Sequence, residues 1–112
     1  MKAFLPEKGI ELGNDITLAA SLPARMKGLL GKDTLDTGKG LLIRPCNGIH
    51  TFFMKFPIDV VFLNNENRIV ALVRTLPPNR MTRIYLKSVS VLELPAVTLS
   101  EEIVVGDVIE FF

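Results

Sequence analysis

The chain has one cysteine, one histidine, one tyrosine and no tryptophan among its 112 residues. A single cysteine excludes an internal disulfide, so nothing calls for an oxidising compartment and a cytoplasmic location is expected. A single histidine excludes any metal centre that needs two imidazoles, the blue-copper set among them. No cluster of Cys or His has metal-ligand spacing, so neither a metal nor another cofactor is expected. A Gly-rich phosphate loop is also missing, since Gly38-Lys39-Gly40 lacks the strand-before, helix-after context such a loop requires. There is no Ser-centred nucleophile motif either. No stretch approaches the about 18 apolar residues of a membrane span. The opening Met1 to Lys8 lacks the apolar run of about seven or more residues that marks a signal peptide. The net charge of +1 produces no field that would gather nucleic acid or an anionic membrane.

What is present describes one folded domain spanning residues 1 to 112. Apolar residues make up 48% of the chain and charged ones 22%, which separates it from disordered sequences. The length leaves no room for a second core. Short apolar runs separated by turns predict strands: Ile10 to Leu12 and Ile16 to Ala20 around Gly13-Asn14, then Gly40 to Ile43, ended by Pro45. Ile58 to Leu63 is apolar on both faces and predicts a strand inside a sheet. Asn64 to Asn67 has hairpin composition, and Arg68 to Leu76 returns as its partner. Ile84 to Leu94 reads as β, with Val89, Val91 and Glu93 on one face and Leu92 and Leu94 on the other. Ser100-Glu101-Glu102 suggests a single helical turn, and Val108 to Phe112 a last strand.

One helix stands out within residues 21 to 31. Ser21 caps it, Pro23 lies in its first turn, Leu22, Met26, Leu29 and Leu30 repeat at helical spacing, and Gly31 closes it. Many short strands and one short helix predict a mostly β fold, a β-sandwich or distorted barrel.

Three stretches in order carry a family resemblance. They are Arg25-Met26-Lys27-Gly28-Leu29-Leu30; Gly40-Leu41-Leu42 running into Phe53-Met54 and Pro57-Ile58-Asp59; and Glu93-Leu94 with Gly106-Asp107. Over roughly residues 15 to 112 the chain resembles the prokaryotic family known as domain of unknown function 192. The resemblance implies a small β-rich domain with short helices. It brings no activity, cofactor or catalytic residue.

The residues that could carry chemistry are few. Cys46, His50 and Met54 are soft ligands at four-residue spacing, but on a strand successive ones lie about 13 Å apart at about 3.3 Å per residue, too far for one ion. Cys46 and His50, with Asp59 to orient the ring, supply the residue types of a nucleophile pair; a buried thiol and a backbone-satisfied imidazole are the plainer account. Asp59 lies between Ile58 and Val60, where an unpaired carboxylate costs several kcal/mol, so it needs Arg25 or backbone amides as partners.

Three functional expectations follow. The leading one is a non-catalytic module binding a small molecule or a protein through a polar cluster of Arg25, His50, Thr51 and Asp59, joined by Glu93. The first alternative is a small hydrolase or redox enzyme using Cys46 and His50. The second is an accessory interaction domain docking through the basic hairpin of residues 68 to 83. The five bases between Arg68 and Leu92 and the five acids between Glu93 and Phe112 are expected to pair across neighbouring strands.

Overall fold

A computed structural model describes all residues from 1 to 112. Eight strands and one helix follow in the order β1 (Ala3–Leu5), β2 (Ile10–Gly13), β3 (Asp15–Ala19), α1 (Leu22–Lys27), β4 (Lys39–Ile43), β5 (Ile58–Leu63), β6 (Ile69–Leu76), β7 (Ser90–Pro95) and β8 (Glu110–Phe111). The principal sheet has the strand order β3-β4-β7-β5-β6, and a three-stranded sheet has the order β2-β1-β8. β3 runs parallel to β4, and the other pairs are antiparallel. β3 and β6 are open ends of the principal sheet, so the barrel does not close and the fold is a distorted sandwich.

The two-residue period of the strands sorts the core into two layers. Leu42, Val61, Leu63, Leu92 and Leu94 face the small sheet and pack with Leu5, Leu12, Ile103 and Ile109. Leu41, Ile43, Val60, Phe62 and Val91 face the other way, toward Leu29 and Met54. β5 and β7 are therefore covered on both faces, and β5 is buried along its whole length as its apolar run predicts. Full burial of one such side chain is worth about 1.5–3 kcal/mol, whereas α1 contributes no buried side chain at all. The sheet layers, not the helix, hold the domain together.

The helix is shorter than its apolar spacing suggests. Ser21 caps it as expected, accepting from the Ala24 amide at 3.2 Å. It ends at Gly28 rather than Gly31, because Gly28 takes the positive φ of 50° and its amide donates back to the Ala24 carbonyl. Other expectations also shift. Residues 84 to 89 are not strand: Tyr85 N donates to Asn47 O and Thr82 N to Ile49 O, so this stretch is tied to the 47–50 loop instead. Ser100 begins a turn rather than a helix. The final strand shrinks to β8, paired with β1, a three-residue strand with no prior sequence signal.

The basic and acidic segments meet, but not as ion pairs. Arg74 donates to the carbonyls of Leu99, Ser100 and Ile103 at 2.7–3.1 Å, and Arg68 to that of Gly106 at 2.7 Å. The ion pairs of the structure lie elsewhere, at Lys2–Glu11, Lys8–Asp107 and Lys55–Asp33.

Candidate functional site

β7 carries Glu93 on the face shared by Val91, and its cross-strand neighbours are Leu41 on β4 and Val60 on β5. Neither neighbour has a hydrogen-bonding side chain, and no ion pair forms at Glu93. The residue is 3% exposed. Burial without compensation disfavours the charged form and pushes its carboxyl up to about 7. Its oxygens are nevertheless not sealed in. The only fully enclosed polar side-chain atom without a partner is Ser90 Oγ, and Glu93 forms part of the wall of a cavity of about 330 Å³.

That cavity lies between the Val91 face of the sheet, the end of α1 and the loop after β4. Its polar wall consists of Arg25, Cys46, Asn47, His50 and Glu93 with the exposed Lys27 at its edge, and its apolar wall includes Leu29, Leu30, Ile43, Ile49 and Met54. Arg25 occupies the last turn of α1, where a cation also favours the helix C-terminus. It is half-buried, and no carboxylate lies within ion-pair distance of it. Cys46 is half-buried and donates its thiol hydrogen to the Gly48 carbonyl at 3.2 Å. Partial burial pushes that thiol above its usual range and the charge of Glu93 adds to this, while Arg25 and the backbone at Gly48 and Asn47 pull the other way. His50 is stacked on Phe52, and its Nδ1 accepts from the Phe52 amide at 3.3 Å. In the neutral ring Nε2–H is then the free donor.

Of the polar cluster expected from sequence, the cavity unites Arg25, His50 and Glu93 and leaves out Thr51 and Asp59. Thr51 is fully buried. Its hydroxyl donates to Pro77 O at 2.7 Å and accepts from Arg80 N at 3.0 Å, locking two loops together. Asp59 pairs in register with Leu94, one step from Glu93, so it points to the opposite face of the sheet and cannot reach Arg25. Its partners are backbone amides, Thr75 N at 2.7 Å and Leu99 N at 2.8 Å. Thr75 has a positive φ of 50°, rare for a β-branched residue, and the carboxylate holds it there. Asp59 is thus a clamp between backbone segments, not half of an ion pair.

Cys46 and His50 share the cavity wall, but their hydrogen bonds go to Gly48 and Phe52 rather than to each other. Asp59, on the other side of the sheet, does not orient the imidazole. No three Cys, His, Asp or Glu side chains come close enough to hold a metal ion. Cys46, a candidate through its thiol, joins Glu93 in the cavity wall, and Asn47 beside it has no sequence signal except its position just after β4, in a loop interrupted by Pro45 and Gly48.

No helix is long and apolar enough to cross a membrane. No curated protein matches the chain. Two solved structures share its fold. One is a protein of unknown function from Novosphingobium aromaticivorans, with TM-score 0.77 and 18% identity over 99% of this chain and 93% of that one. The other is a candidate transcription regulator from Sinorhizobium meliloti, with TM-score 0.79 and 19% identity over 97% of this chain and 89% of that one. Residues 5–111 match the model of DUF192, described as Uncharacterized ACR. The match covers nearly every element of both sheets, and the chain belongs to the DUF192 family.

Proposed function

We propose that the domain binds a small organic molecule in the cavity walled by Arg25, His50 and Glu93. The observation that carries this is Glu93. A carboxyl group almost wholly removed from water, with no hydrogen bond from the protein, costs the folded state energy that an apolar residue would not. Such a group facing an open cavity is what a ligand donor would satisfy. The volume lies at the low end of the about 300–1,000 Å³ usual for small-molecule sites. The mixed wall, a few convergent polar groups on an apolar lining, has the make-up of such sites.

Binding rather than Cys46 chemistry is favoured because burial raises the thiol, favouring its neutral form, and its hydrogen bond goes to the Gly48 carbonyl rather than to a base. A free thiol is at home in a reducing compartment, so the proposal places the domain in the cytoplasm of a prokaryote. A second reading, docking on a protein through the basic hairpin, has one observation in its favour. Met81, Ile84 and Leu86 are 69%, 60% and 89% exposed beside Arg80 and Arg83.

A thermal-shift screen of small acids, amines, sugars and nucleotides tests the first reading. A ligand at a hundredfold its Kd adds about 2.7 kcal/mol, a rise on the order of 10 °C for a chain of this size. The shift should vanish when Glu93→Gln and Arg25→Gln are combined. If no compound raises the melting temperature or perturbs the amide resonances of residues 25 to 30 and 46 to 50, the cavity is not a binding site.

A further inference from the structure

We infer that the ligand of this cavity is a small zwitterion, whose carboxylate is taken by Arg25 and whose ammonium group is taken by Glu93. This rests on the cavity being a binding site, and it specifies what binds there. Arg25 and Glu93 line one cavity of about 330 Å³, yet they are not within ion-pair distance of one another. Had the two charges served only to neutralise each other, contact would be the lower-energy arrangement for a carboxylate as buried as Glu93. Held apart, they leave two unmet demands of opposite sign: a guanidinium that presents a planar fork of donors to a carboxylate, and an acceptor-only carboxylate once ionised.

The alternatives meet only part of this demand. A simple organic acid would satisfy Arg25 but leave Glu93 stranded, and would add a second negative charge to the same space. A simple amine would satisfy Glu93 and set its own charge against Arg25. A sugar ring is usually held against an aromatic face, and the only aromatic ring in the wall is the imidazole of His50. A nucleotide would need a phosphate cradle of convergent backbone amides, and Arg25 with the exposed Lys27 in a cavity at the small end of the range does not provide one. The same wall carries Leu29, Leu30 and Ile43, apolar side chains that suit a short hydrocarbon connection. Glu93 is 3% exposed, so its carboxylate has little water to satisfy it and discriminates an ammonium from a methyl group.

Four five-carbon probes test this by titration calorimetry at pH 7.5: norvaline, 5-aminopentanoate, pentanoate and pentylamine. At least one of the two zwitterions should bind about tenfold or more tightly than both singly charged probes. Glu93→Gln should erase the advantage over pentanoate, and Arg25→Gln should erase the advantage over pentylamine. Each variant should keep its native circular dichroism, so loss of binding is not loss of fold. Equal binding of pentanoate or pentylamine and the zwitterions overturns the inference. So does tighter binding of a neutral compound from the broader screen, while the cavity stands as a binding site. Absence of binding by every compound in the probe set and in the screen removes both.

Discussion

Replacing Glu93 with Gln should stabilise the domain, and by an amount that depends on pH in a set direction. In the unfolded chain the carboxyl titrates near 4.5, and in the folded domain near 7, because burial disfavours its charge. Below about pH 4.5 both states hold the proton and the group contributes nothing. Between 4.5 and 7 the unfolded chain has released its proton while the native state retains it, so stability falls as pH rises. Above about 7 the full difference is present. The gap between 4.5 and 7 corresponds to about 3 kcal/mol at about 1.4 kcal/mol per unit. Glutamine keeps the volume and an acceptor but never ionises. The variant should match the wild type near pH 4 and exceed it by about 3 kcal/mol at pH 8. The titratable groups sharing the cavity with Glu93 are Arg25 and Lys27 from α1 and Cys46 and His50 from the loop after β4. All four are common to both proteins, so the difference between the two stability curves reports Glu93 together with its coupling to them. Urea denaturation at half-unit steps from pH 4 to 8 measures it. A difference that stays flat across this range, or a glutamine variant less stable than wild type at pH 8, would falsify the claim that Glu93 is an uncompensated buried acid.

Asp59→Ala should cost about 3 kcal/mol or more, since two amides bonded to a charged acceptor are stranded at about 1.5–3 kcal/mol each; chemical denaturation decides, and a loss below about 0.5 kcal/mol would refute the clamp. Asp59→Asn should lose roughly half of that, because one of its two positions becomes a donor. Cys46 should react with a disulfide reagent at pH 7.5 at least about tenfold more slowly in the native protein than in the denatured chain, and His50→Ala should leave that rate unchanged. Arg74→Ala should speed amide exchange at residues 99 to 103, whose carbonyls it gathers, while leaving exchange in β7 unaltered.

The faces of the central strands were legible in the sequence because period-two alternation is local. Val91 and Glu93 against Leu92 and Leu94 needs no knowledge of the partner strands, and it put Glu93 on the side where the cavity lies. The partners of Asp59 were not legible. They are main-chain amides 16 and 40 residues away, and an amide hydrogen bond leaves no trace in residue type. Charge complementarity between Asp59 and Arg25 is not contact, because one step along β5 reverses the face and Val60, not Asp59, lies beside Glu93. Of the small sheet, β2 and the last strand were legible, but β1 between them has only three residues, too few to display a period. The helix end was ambiguous for a simpler reason: Gly28 and Gly31 both permit the positive φ a helix terminus uses, and only the packed chain chooses between them.

The two charged ends of the cavity belong to elements of very different firmness. Glu93 sits on β7, laddered to strands on both sides and covered above and below. Arg25 sits on a six-residue helix with no buried side chain, far below the length at which a helix persists in water by itself. The floor of the cavity should therefore be among the last backbone to exchange its amides, and the wall bearing Arg25 among the first. A molecule spanning the two would fasten the loose element to the firm one, and slower exchange at residues 24 to 28 would register its arrival without any change in the sheet.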